Sequence, residues 1–258
     1  MIVLRSIIMA FSLFSRIPMP QVDWSERNRR FMMAAFPVVG AFVGACLWGW
    51  WHLSTVFGLG TLLRAAGLAL LPLLITGGMH LDGFADVLDA QSSFASPEKR
   101  REILKDPHVG AFAVMGICGY LITHLALASE VNSNCLTSLV CAPTMSRCLS
   151  GYATVTFKKA RADGMLAAEG STDAARVVRA ILLTLFGLTT AVAVVCDGLV
   201  GAAAALVAVA ELAWVRRVAL REFGGMGGDL AGYYLQMAEL LILVCIVFLG
   251  RLGSPWSW

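Results

Sequence analysis

Charged side chains are scarce in this sequence. Asp, Glu, Lys and Arg make up 14% of its 258 residues, whereas an average soluble domain has roughly 25%. Hydrophobic residues make up 58%, and the two figures together exclude an ordinary water-soluble domain and indicate an integral membrane protein. The net charge of +3 is too small to suggest a nucleic-acid partner, and we expect none.

Several recurrent sequence features are also missing. No segment alternates apolar and polar residues as a half-buried strand does, no motif repeats at a fixed period, and no low-complexity linker divides the chain. The seven Cys residues form no CxxC pair and have no His at zinc-finger spacing. They therefore predict buried apolar side chains instead of a metal cluster or a disulfide framework. We predict one all-α membrane domain covering residues 1–258.

Long apolar runs, in contrast, are abundant. We predict about seven transmembrane helices, each near the roughly 20 residues needed to cross the hydrocarbon core. Residues 1–17 precede them and end at the breaker Pro18-Met19-Pro20. We expect an amphipathic or interfacial helix there, or a short element packed under the bundle. The predicted spans are residues 32–57, 62–79, 109–129, 135–156, two within 177–215 that are separated at Asp197-Gly198, and 231–250.

Basic residues are concentrated in four of the predicted loops. If the span count is right, all four loops lie on one side, and the opposite side has little more than Arg64 and Arg251. The positive-inside rule then predicts a multi-pass protein of the cytoplasmic (inner) membrane of a prokaryote, with these loops in the cytoplasm and the segment after Arg251 outside. The four loops are residues 18–31, 80–108, 157–176 and 216–230.

Three acidic residues follow the second predicted span. Asp82, Asp86 and Asp89 are spaced i, i+4, i+7, so a helix would put their carboxylates on one face, with neighbours roughly 6 Å apart. Like charges this close repel each other unless a cation lies among them, and oxygen ligands suit Mg²⁺ or Mn²⁺ better than zinc. The alternative is a solvated acidic helix face. We expect His80 to be either a base or metal ligand, or an interfacial histidine that is hydrogen-bonded to the backbone.

A cationic cluster precedes the third predicted span. Arg100, Arg101 and Lys105 lie in or near a short predicted helix, and Asp106 follows them. Clustered cations close to a carboxylate-bound metal are what a pyrophosphate group needs, because metal and cations share its negative charge. The alternative is ordinary positive-inside charge.

Two more features carry charge or unusual flexibility. Arg147 lies midway along an apolar span, where a cation without a partner is unfavourable. We therefore expect Arg147 to be a functional residue or one member of a structural ion pair. The Gly-rich run from Phe223 to Gly232 surrounds Asp229. This run predicts either a loop that approaches phosphate and offers a further carboxylate, or a simple hinge before a helix.

These residues together indicate one reaction class. Carboxylates arranged for a divalent metal, nearby cations and a membrane-embedded bundle suit the transfer of a phosphoryl-linked group from a nucleotide-diphosphate donor to an alcohol. In such a reaction the metal bridges the pyrophosphate oxygens and stabilises charge on the leaving nucleotide monophosphate.

The run from Thr76 to Asp89, TGGMHLDGFADVLD, resembles the signature of the cobalamin synthase family, also called adenosylcobinamide-GDP ribazoletransferases. The resemblance extends along most of the chain. It departs from the usual family pattern at Gly227, where Thr is frequent, and at Ala90, where Gly is frequent. Further matching segments are Phe14–Pro18, Phe36–Gly40, Arg101–Asp106 with Gly110–Phe112, Ser146-Arg147 and Gly224–Asp229.

The resemblance implies the last step of nucleotide-loop assembly, performed in the lipid bilayer. The donor would be adenosylcobinamide-GDP, and the acceptor would be α-ribazole or α-ribazole 5′-phosphate. The ribose hydroxyl would attack the cobinamide-linked phosphorus in an Mg²⁺-dependent reaction, giving adenosylcobalamin, or its 5′-phosphate, and GMP. The identity of the lower base and assembly into a homo-oligomer stay open.

The implied site combines metal, phosphate and catalytic residues. Asp82 and Asp86 would hold Mg²⁺, and Asp89 would be a further metal ligand or the base for the acceptor hydroxyl. The residues expected to act on the phosphates or to assist the chemistry are His80, Arg101, Lys105, Asp106, Arg147, Gly228 and Asp229.

Two other classes are alternatives on the residues alone. A CDP-alcohol phosphatidyltransferase also places several Asp residues at cytoplasmic helix ends, but the Ala-Arg pair of that class is absent after Asp82-Gly83-Phe84-Ala85-Asp86. A membrane transporter could use Arg147 and the Asp triad as an ion path. Transporters usually spread their charged residues through the midplane and often have inverted repeats, whereas these acids gather at one mouth.

Overall fold

The computed structural model describes residues 2–106, 108–160 and 173–252, so part of the predicted loop 157–176 lies outside the described residues. Within these ranges the chain forms α-helices and no named strand, which confirms the all-α prediction. A 3₁₀ turn covers Ser133–Cys135 and a π-helical turn covers Ala219–Phe223. The helices are α1 (Ile2–Phe14), α2 (Glu26–Arg29), α3 (Met32–Val56), α4 (Thr61–Thr76), α5 (Met79–Ser92), α6 (Pro97–Ile103), α7 (Ala111–Ser129), α8 (Leu136–Thr156), α9 (Asp173–Asp197), α10 (Leu199–Val218) and α11 (Gly228–Leu252).

The N-terminal helix α1 packs against the bundle. Met9 and Phe14 are buried in one cluster with Met32 and Phe36 of α3, whereas the residues of the first turn of α1 are exposed. Burying these apolar side chains is the driving force that holds the short helix in place. The structure therefore contains the predicted N-terminal helix and shows that it docks on α3, whereas its position at the membrane interface stays a prediction.

Five helices among the described residues are long and apolar enough to cross a membrane: α3, α7, α9, α10 and α11. The pair α4 and α5 gives a sixth candidate if the two count as one broken span. Helix α8 has 21 residues but carries Arg147 and several Ser and Thr side chains, and it is not among the five. The membrane character of the chain is confirmed, whereas the predicted count of seven spans is not.

Helix α8 lies inside the bundle, with most of its side chains buried against other helices. Gly40 and Gly44 of α3 allow a very close contact, because a Cβ at these positions would overlap the α8 backbone at Pro143 or Val140. Small residues commonly permit such close approach between membrane helices. Since protein surrounds α8 on most sides, it does not need the apolar surface that a lipid-facing helix requires.

The cysteines match the prediction only in part. Cys135, Cys141 and Cys148 are buried, whereas Cys118 and Cys196 are exposed. The exposed pair lies on α7 and α9, two of the helices that are apolar enough to cross a membrane. A thiol on such a surface can face lipid. These two side chains can therefore have an apolar surrounding without being buried within the protein.

Helices α4 and α5 meet at a bend of 95°. Gly77 and Gly78 form the bend with φ angles of 68° and 77°, in the left-handed region that glycine adopts without a Cβ penalty. The Gly78 amide donates to the Leu73 carbonyl at 3.0 Å, and the Asp82 amide donates to the Gly78 carbonyl at 2.9 Å, so α5 begins immediately after the turn. The helix that carries the Asp triad therefore runs in a new direction.

Three of the basic loops contact one another at one end of the bundle. Arg100 of α6 forms an ion pair with Glu222 of the π-helical turn at 2.6 Å. The Met226 amide donates to the Lys158 carbonyl at 2.7 Å, which joins the segment after α8 to the Gly-rich run. The loops that follow α5, α8 and α10 are thus neighbours in space, as the predicted topology requires.

Candidate active site

The candidate site lies where α5 crosses the first turns of α11. Two glycines make this crossing unusually close: a Cβ at Gly83 would lie 2.9 Å from the Cα and carbonyl oxygen of Asp229, and a Cβ at Gly232 would lie 2.9 Å from the His80 carbonyl oxygen. Real Cβ atoms are almost never found so close to backbone atoms, so both positions favour glycine. The close crossing brings Asp229 beside the part of α5 that carries Asp82 and Asp86.

Four carboxylates converge at this crossing. The charges of Asp82, Asp229 and Asp89 all act on the Asp86 carboxylate and repel it. Asp82 lies in the first turn of α5, and Asp229 lies in the first turn of α11. The structure therefore brings together the predicted triad on one helix and the carboxylate that the sequence placed in the Gly-rich run.

Asp89 differs from the other three carboxylates because it faces the start of α7. Its Oδ1 atom accepts a hydrogen bond from the Ala113 amide at 3.4 Å, and a Cβ at Gly110 would overlap its carboxylate. Backbone amides at a helix N-terminus stabilise negative charge. The contact of Asp89 with the start of α7 is required neither of a metal ligand nor of a base. The two predicted roles of Asp89, metal ligand and base for the acceptor hydroxyl, therefore stay predictions.

The four carboxylates offer only oxygen ligands, which suits Mg²⁺ or Mn²⁺. No group of three or more His, Cys, Asp or Glu side chains in the described part of the chain is arranged to hold a metal ion. Mg²⁺ commonly keeps several waters and binds one or two carboxylates together with substrate phosphates. The residues therefore fit an Mg²⁺ ion that binds jointly with a phosphate-bearing substrate.

Arg147 is buried, with 1% of its side chain exposed, and it forms an ion pair with Glu239 of α11. The Nη1 atom lies 2.8 Å from the Oε1 atom of Glu239 and also donates to the Pro143 carbonyl at 2.9 Å. Ser146 donates to the same Oε1 atom at 2.8 Å. The structural ion pair that the sequence left as an alternative is therefore present, and a direct contact of Arg147 with phosphate stays a prediction.

His80 is also buried, and its Nε2 atom has no hydrogen-bond partner among the described residues. The imidazole ring centroid lies 6.3 Å from that of Phe14 and 5.8 Å from that of Phe36. These aromatic neighbours give the ring an apolar surrounding on the α1 and α3 sides. His80 is thus enclosed by aromatic rings on these two sides, and its predicted role as base or ligand stays a prediction.

The predicted phosphate-binding residues of α6 lie beside the Gly-rich run. Arg101 forms an exposed ion pair with Glu98 at 3.0 Å, and its Nη1 atom lies 3.1 Å from the place where a Cβ on Gly224 would be. This contact brings two predicted phosphate-binding elements together across more than a hundred residues of sequence. Gly228 itself has open space where its Cβ would be, so a ligand can come close to the backbone there.

Two residues that follow α6, Lys105 and Asp106, are exposed. Asp106 contacts His108 through a 3.0 Å bond to the backbone amide and a 2.6 Å contact to Nδ1. These bonds to His108 lower the pKa of Asp106. Asp106 therefore shapes the turn before α7, and its predicted contact with substrate stays a prediction.

Two cationic segments near the site were not assigned a role from the sequence. The backbone of Lys158 and Ala160 pairs with Met226, with bonds of 2.7 and 3.0 Å. Arg16 lies on the segment after α1, and its amide donates to the Ile75 carbonyl at 2.8 Å. The only sequence signals were a basic loop and a short matching motif, and neither reveals which loops meet in space.

The chain is similar to one family of known proteins along almost its whole length. The chain matches the family model described as cobalamin-5-phosphate synthase (CobS) over residues 6–247. It is 34% identical over 244 residues to an adenosylcobinamide-GDP ribazoletransferase of Lachnoclostridium phytofermentans, covering 95% of this chain and 94% of that protein. Proteins of the same name from Geobacillus kaustophilus and Clostridium botulinum are 34% and 32% identical; the matches cover 91% and 92% of this chain, and 92% and 94% of those proteins. No solved structure matches the chain significantly.

Proposed function

The chain belongs to the cobalamin-5-phosphate synthase family, and we propose that it joins adenosylcobinamide-GDP to α-ribazole or α-ribazole 5′-phosphate with release of GMP. The observation that carries this proposal is the carboxylate cluster at the crossing of α5 and α11, next to cationic loops. An acidic cluster beside cations is suited to a metal-bound pyrophosphate, which is the reacting group of the proposed donor.

The proposed reaction is a transfer at phosphorus. The ribose hydroxyl of the acceptor attacks the cobinamide-linked phosphorus, a new P–O bond forms, the P–O bond to the GMP portion breaks, and the hydroxyl proton is released. Phosphoryl transfer depends on positioning and on neutralising charge more than on covalent chemistry by the protein. Rigid placement of the carboxylates and cations is therefore the main contribution expected of this chain.

We assign Asp82 and Asp86 as the residues that would hold Mg²⁺, with Asp229 beside them on α11. When bound, the ion would share the negative charge of the pyrophosphate and stabilise the leaving GMP. The all-oxygen donor set supports this assignment, and so does the mutual repulsion of the carboxylates, which a divalent cation would relieve.

The neighbouring residues bind and position the substrate. Arg101, whose side chain is partly exposed beside Gly224, and the exposed Lys105 are suited to bind the donor phosphates. The pair of Arg101 with Glu98 does not prevent this, because an exposed ion pair contributes only about 0–1 kcal/mol and can be exchanged for a phosphate contact. Asp89 holds the start of α7 beside the site, and Arg147 fixes α11 through Glu239.

We further propose that the site opens to the cytoplasm and that the protein resides in the inner membrane of a prokaryote. The positive-inside rule supports this orientation, because the basic loops after α5, α8 and α10 meet at the end of the bundle that carries the carboxylate cluster.

The test is a reconstitution with defined substrates. Purified protein in lipid nanodiscs, given adenosylcobinamide-GDP, α-ribazole and Mg²⁺, should release GMP and form adenosylcobalamin in equal amounts. Asp82→Asn should abolish turnover while the protein still inserts, because an amide oxygen is a much weaker Mg²⁺ ligand than a carboxylate. Glu130→Gln, at an exposed carboxylate after α7, is the matched control and should keep normal turnover.

One result would overturn the proposed reaction, and another would overturn only the metal assignment. Absence of GMP with either acceptor, together with movement of the donor across the membrane, would favour a transporter. Near-normal turnover of Asp82→Asn would contradict the metal assignment while leaving the reaction intact.

A further inference from the structure

We propose that Arg16 binds the phosphate groups of the nucleotide-bearing donor, as a substrate-binding residue that the N-terminal segment contributes to the site. This inference rests on the proposed function for the identity of the donor. It concerns a residue outside the carboxylate cluster and outside the cationic loop around α6.

The end of α1 is anchored beside the start of α5. The Phe14 ring packs against Phe36 of α3 with centroids 4.1 Å apart, and it lies 6.3 Å from the His80 ring. Phe14 is buried in the same apolar cluster as Met9 and Met32. The residues that follow Phe14 are therefore held against the α4–α5 bend and do not extend freely from the bundle.

Both the backbone and the side chain of Arg16 contact this bend. Its amide donates to the Ile75 carbonyl in the last turn of α4 at 2.8 Å. Its side chain lies along Gly77, because a Cβ on Gly77 would be 2.6 Å from Cγ and 2.9 Å from Cδ and Nε. Gly77 therefore serves two purposes: it adopts a left-handed φ of 68°, and it leaves room for the Arg16 side chain.

The bend also brings this cation towards the carboxylate helix. The Asp82 amide donates a hydrogen bond to the carbonyl of Gly78, the residue that follows Gly77. Asp82 therefore lies one helical turn beyond Gly78, about 5.4 Å along the axis of α5. A pyrophosphate that shares a metal with Asp82 would thus have Arg16 at the near end of α5. Arg101 and the Gly-rich run would then be at its other side.

The charge pattern explains why a phosphate is the expected ligand. Three arginines of α6 and α8 have ion-pair partners, Arg100 with Glu222, Arg101 with Glu98 and Arg147 with Glu239, and of these only the exposed Arg101 pair readily exchanges for a phosphate. Arg16 is exposed and forms no ion pair with any described residue. A planar guanidinium binds phosphate in bidentate fashion, and it loses little by exchanging water for such a ligand.

A lipid headgroup could supply the same phosphate chemistry, so the experiment separates the two sources. The probe is GDP with Mg²⁺, which carries the pyrophosphate of the donor without the corrinoid. Its affinity is measured by calorimetry for protein in nanodiscs of phosphatidylcholine and, separately, of phosphatidylglycerol. Steady-state KM values for adenosylcobinamide-GDP and for both acceptors complete the set.

Three variants isolate the charge of Arg16. Arg16→Met keeps an apolar chain that can pack on Gly77, Arg16→Gln removes the charge with a polar side chain, and Arg16→Lys keeps the charge without the fork. Arg5→Gln is the matched control, because Arg5 is an exposed cation on the opposite end of α1. Thermal unfolding in the same nanodiscs identifies any variant that fails to fold.

We expect Arg16→Gln and Arg16→Met to weaken GDP binding and to raise the KM for the donor at least tenfold in both lipids. Arg16→Lys should recover only part of the affinity, because the ammonium keeps the charge but cannot bind in bidentate fashion. The KM for α-ribazole and the behaviour of Arg5→Gln should stay within twofold of the unmodified protein. A folded Arg16→Met variant with unchanged GDP affinity would overturn the proposal. An effect confined to phosphatidylglycerol would indicate a lipid ligand, and a rise in KM only for α-ribazole 5′-phosphate would indicate the acceptor; both outcomes contradict the donor assignment.

The binding measurement also separates this inference from the proposed function. If the unmodified protein releases no GMP but binds GDP through Arg16, the phosphate site stands and the proposed reaction fails. If GMP is released normally and Arg16→Met behaves as the unmodified protein does, the reaction stands and the role of Arg16 fails.

Discussion

Arg147 and Glu239 form a buried ion pair that ties α8 to α11, with 2.8 Å between Nη1 and Oε1. Only 1% and 9% of the two side chains are exposed. Ser146 adds a hydrogen bond to the same carboxylate oxygen. Because Asp229 lies in the first turn of α11, this pair fixes from inside the bundle the helix that carries the fourth carboxylate of the site.

Removing one partner of this pair should destabilise the protein more than it changes substrate binding. Arg147→Met leaves the Glu239 carboxylate buried without its cation, and the loss of one partner of a buried pair typically reduces the free energy of unfolding by about 3–5 kcal/mol. We expect a lower midpoint of thermal unfolding in nanodiscs, with an unchanged KM in the folded fraction.

The double variant Arg147→Met with Glu239→Met is the control for this prediction. Apolar residues that replace both members of a buried pair often restore stability, so the double variant should regain most of the unfolding midpoint. If Arg147→Met is as stable as the unmodified protein but binds GDP more weakly, the earlier prediction of a direct phosphate contact is correct.

The crossing of α5 and α11 should not tolerate a side chain at Gly83. A Cβ there would lie 2.9 Å from backbone atoms of Asp229, which cannot rotate away as a side chain can. We expect Gly83→Ala to separate the two helices, to lower stability by about 1–3 kcal/mol and to reduce turnover at least tenfold. Turnover and unfolding of the purified variant are the measurements.

Gly119 provides the matched control for this substitution. It lies in α7 with open space where its Cβ would be, and alanine is a better helix former than glycine. Gly119→Ala should therefore leave turnover unchanged and stability equal or slightly higher. If Gly83→Ala has full activity, the close crossing is not required to assemble the carboxylates.

The sequence predicts the components of the site better than their arrangement. The spacing of Asp82, Asp86 and Asp89 predicts a shared helix face, and α5 confirms the helix. The break at Asp197-Gly198 correctly divides a long apolar run into α9 and α10. These features depend on local periodicity and on residues with strong backbone preferences, which are visible in any single segment.

Long-range contacts could not be predicted in the same way. Glu239 lies 92 residues beyond Arg147, and nothing in the local sequence selects it from other buried polar residues as the partner. The position of Arg16 depends on the docking of α1 on α3 and on the bend at Gly77. The polarity of α8 is likewise explained only once its neighbours are known, because protein instead of lipid surrounds it.

The contact of Asp89 with α7 should distinguish a positioning residue from a base. Asn keeps an oxygen that can accept the hydrogen bond from the Ala113 amide but cannot accept a proton from the acceptor hydroxyl. If Asp89 positions α7, we expect Asp89→Asn to lower kcat by about tenfold or less. Loss of a general base would lower kcat by about 10²–10⁴-fold. The kcat of Asp89→Asn, compared with that of Asp82→Asn, decides between the roles.

The end of the chain after Arg251 should lie outside the cytoplasm. Helices α7 and α8 have 19 and 21 residues, which at 1.5 Å per residue gives about 28–32 Å, near the thickness of the hydrocarbon core. Helix α7 leads away from the end of the bundle where the basic loops meet, and α8 leads back to it. If α7 crosses the membrane, α8 must therefore cross it too, although α8 carries polar residues.

The same argument applies to α3 and α4. The hydrogen bond from the Arg16 amide to the Ile75 carbonyl shows that the end of α4 lies beside the segment that precedes α3, so the two helices lead across and back. With α9, α10 and α11 we therefore predict seven crossings. Alkaline phosphatase fused after Arg251 should therefore be active and green fluorescent protein fused there should be dark, whereas a Cys at Lys99 should react with an impermeant maleimide only after cell lysis. A fluorescent fusion after Arg251 would require an even number of crossings, and α8 or α4 would then have to stay within one leaflet.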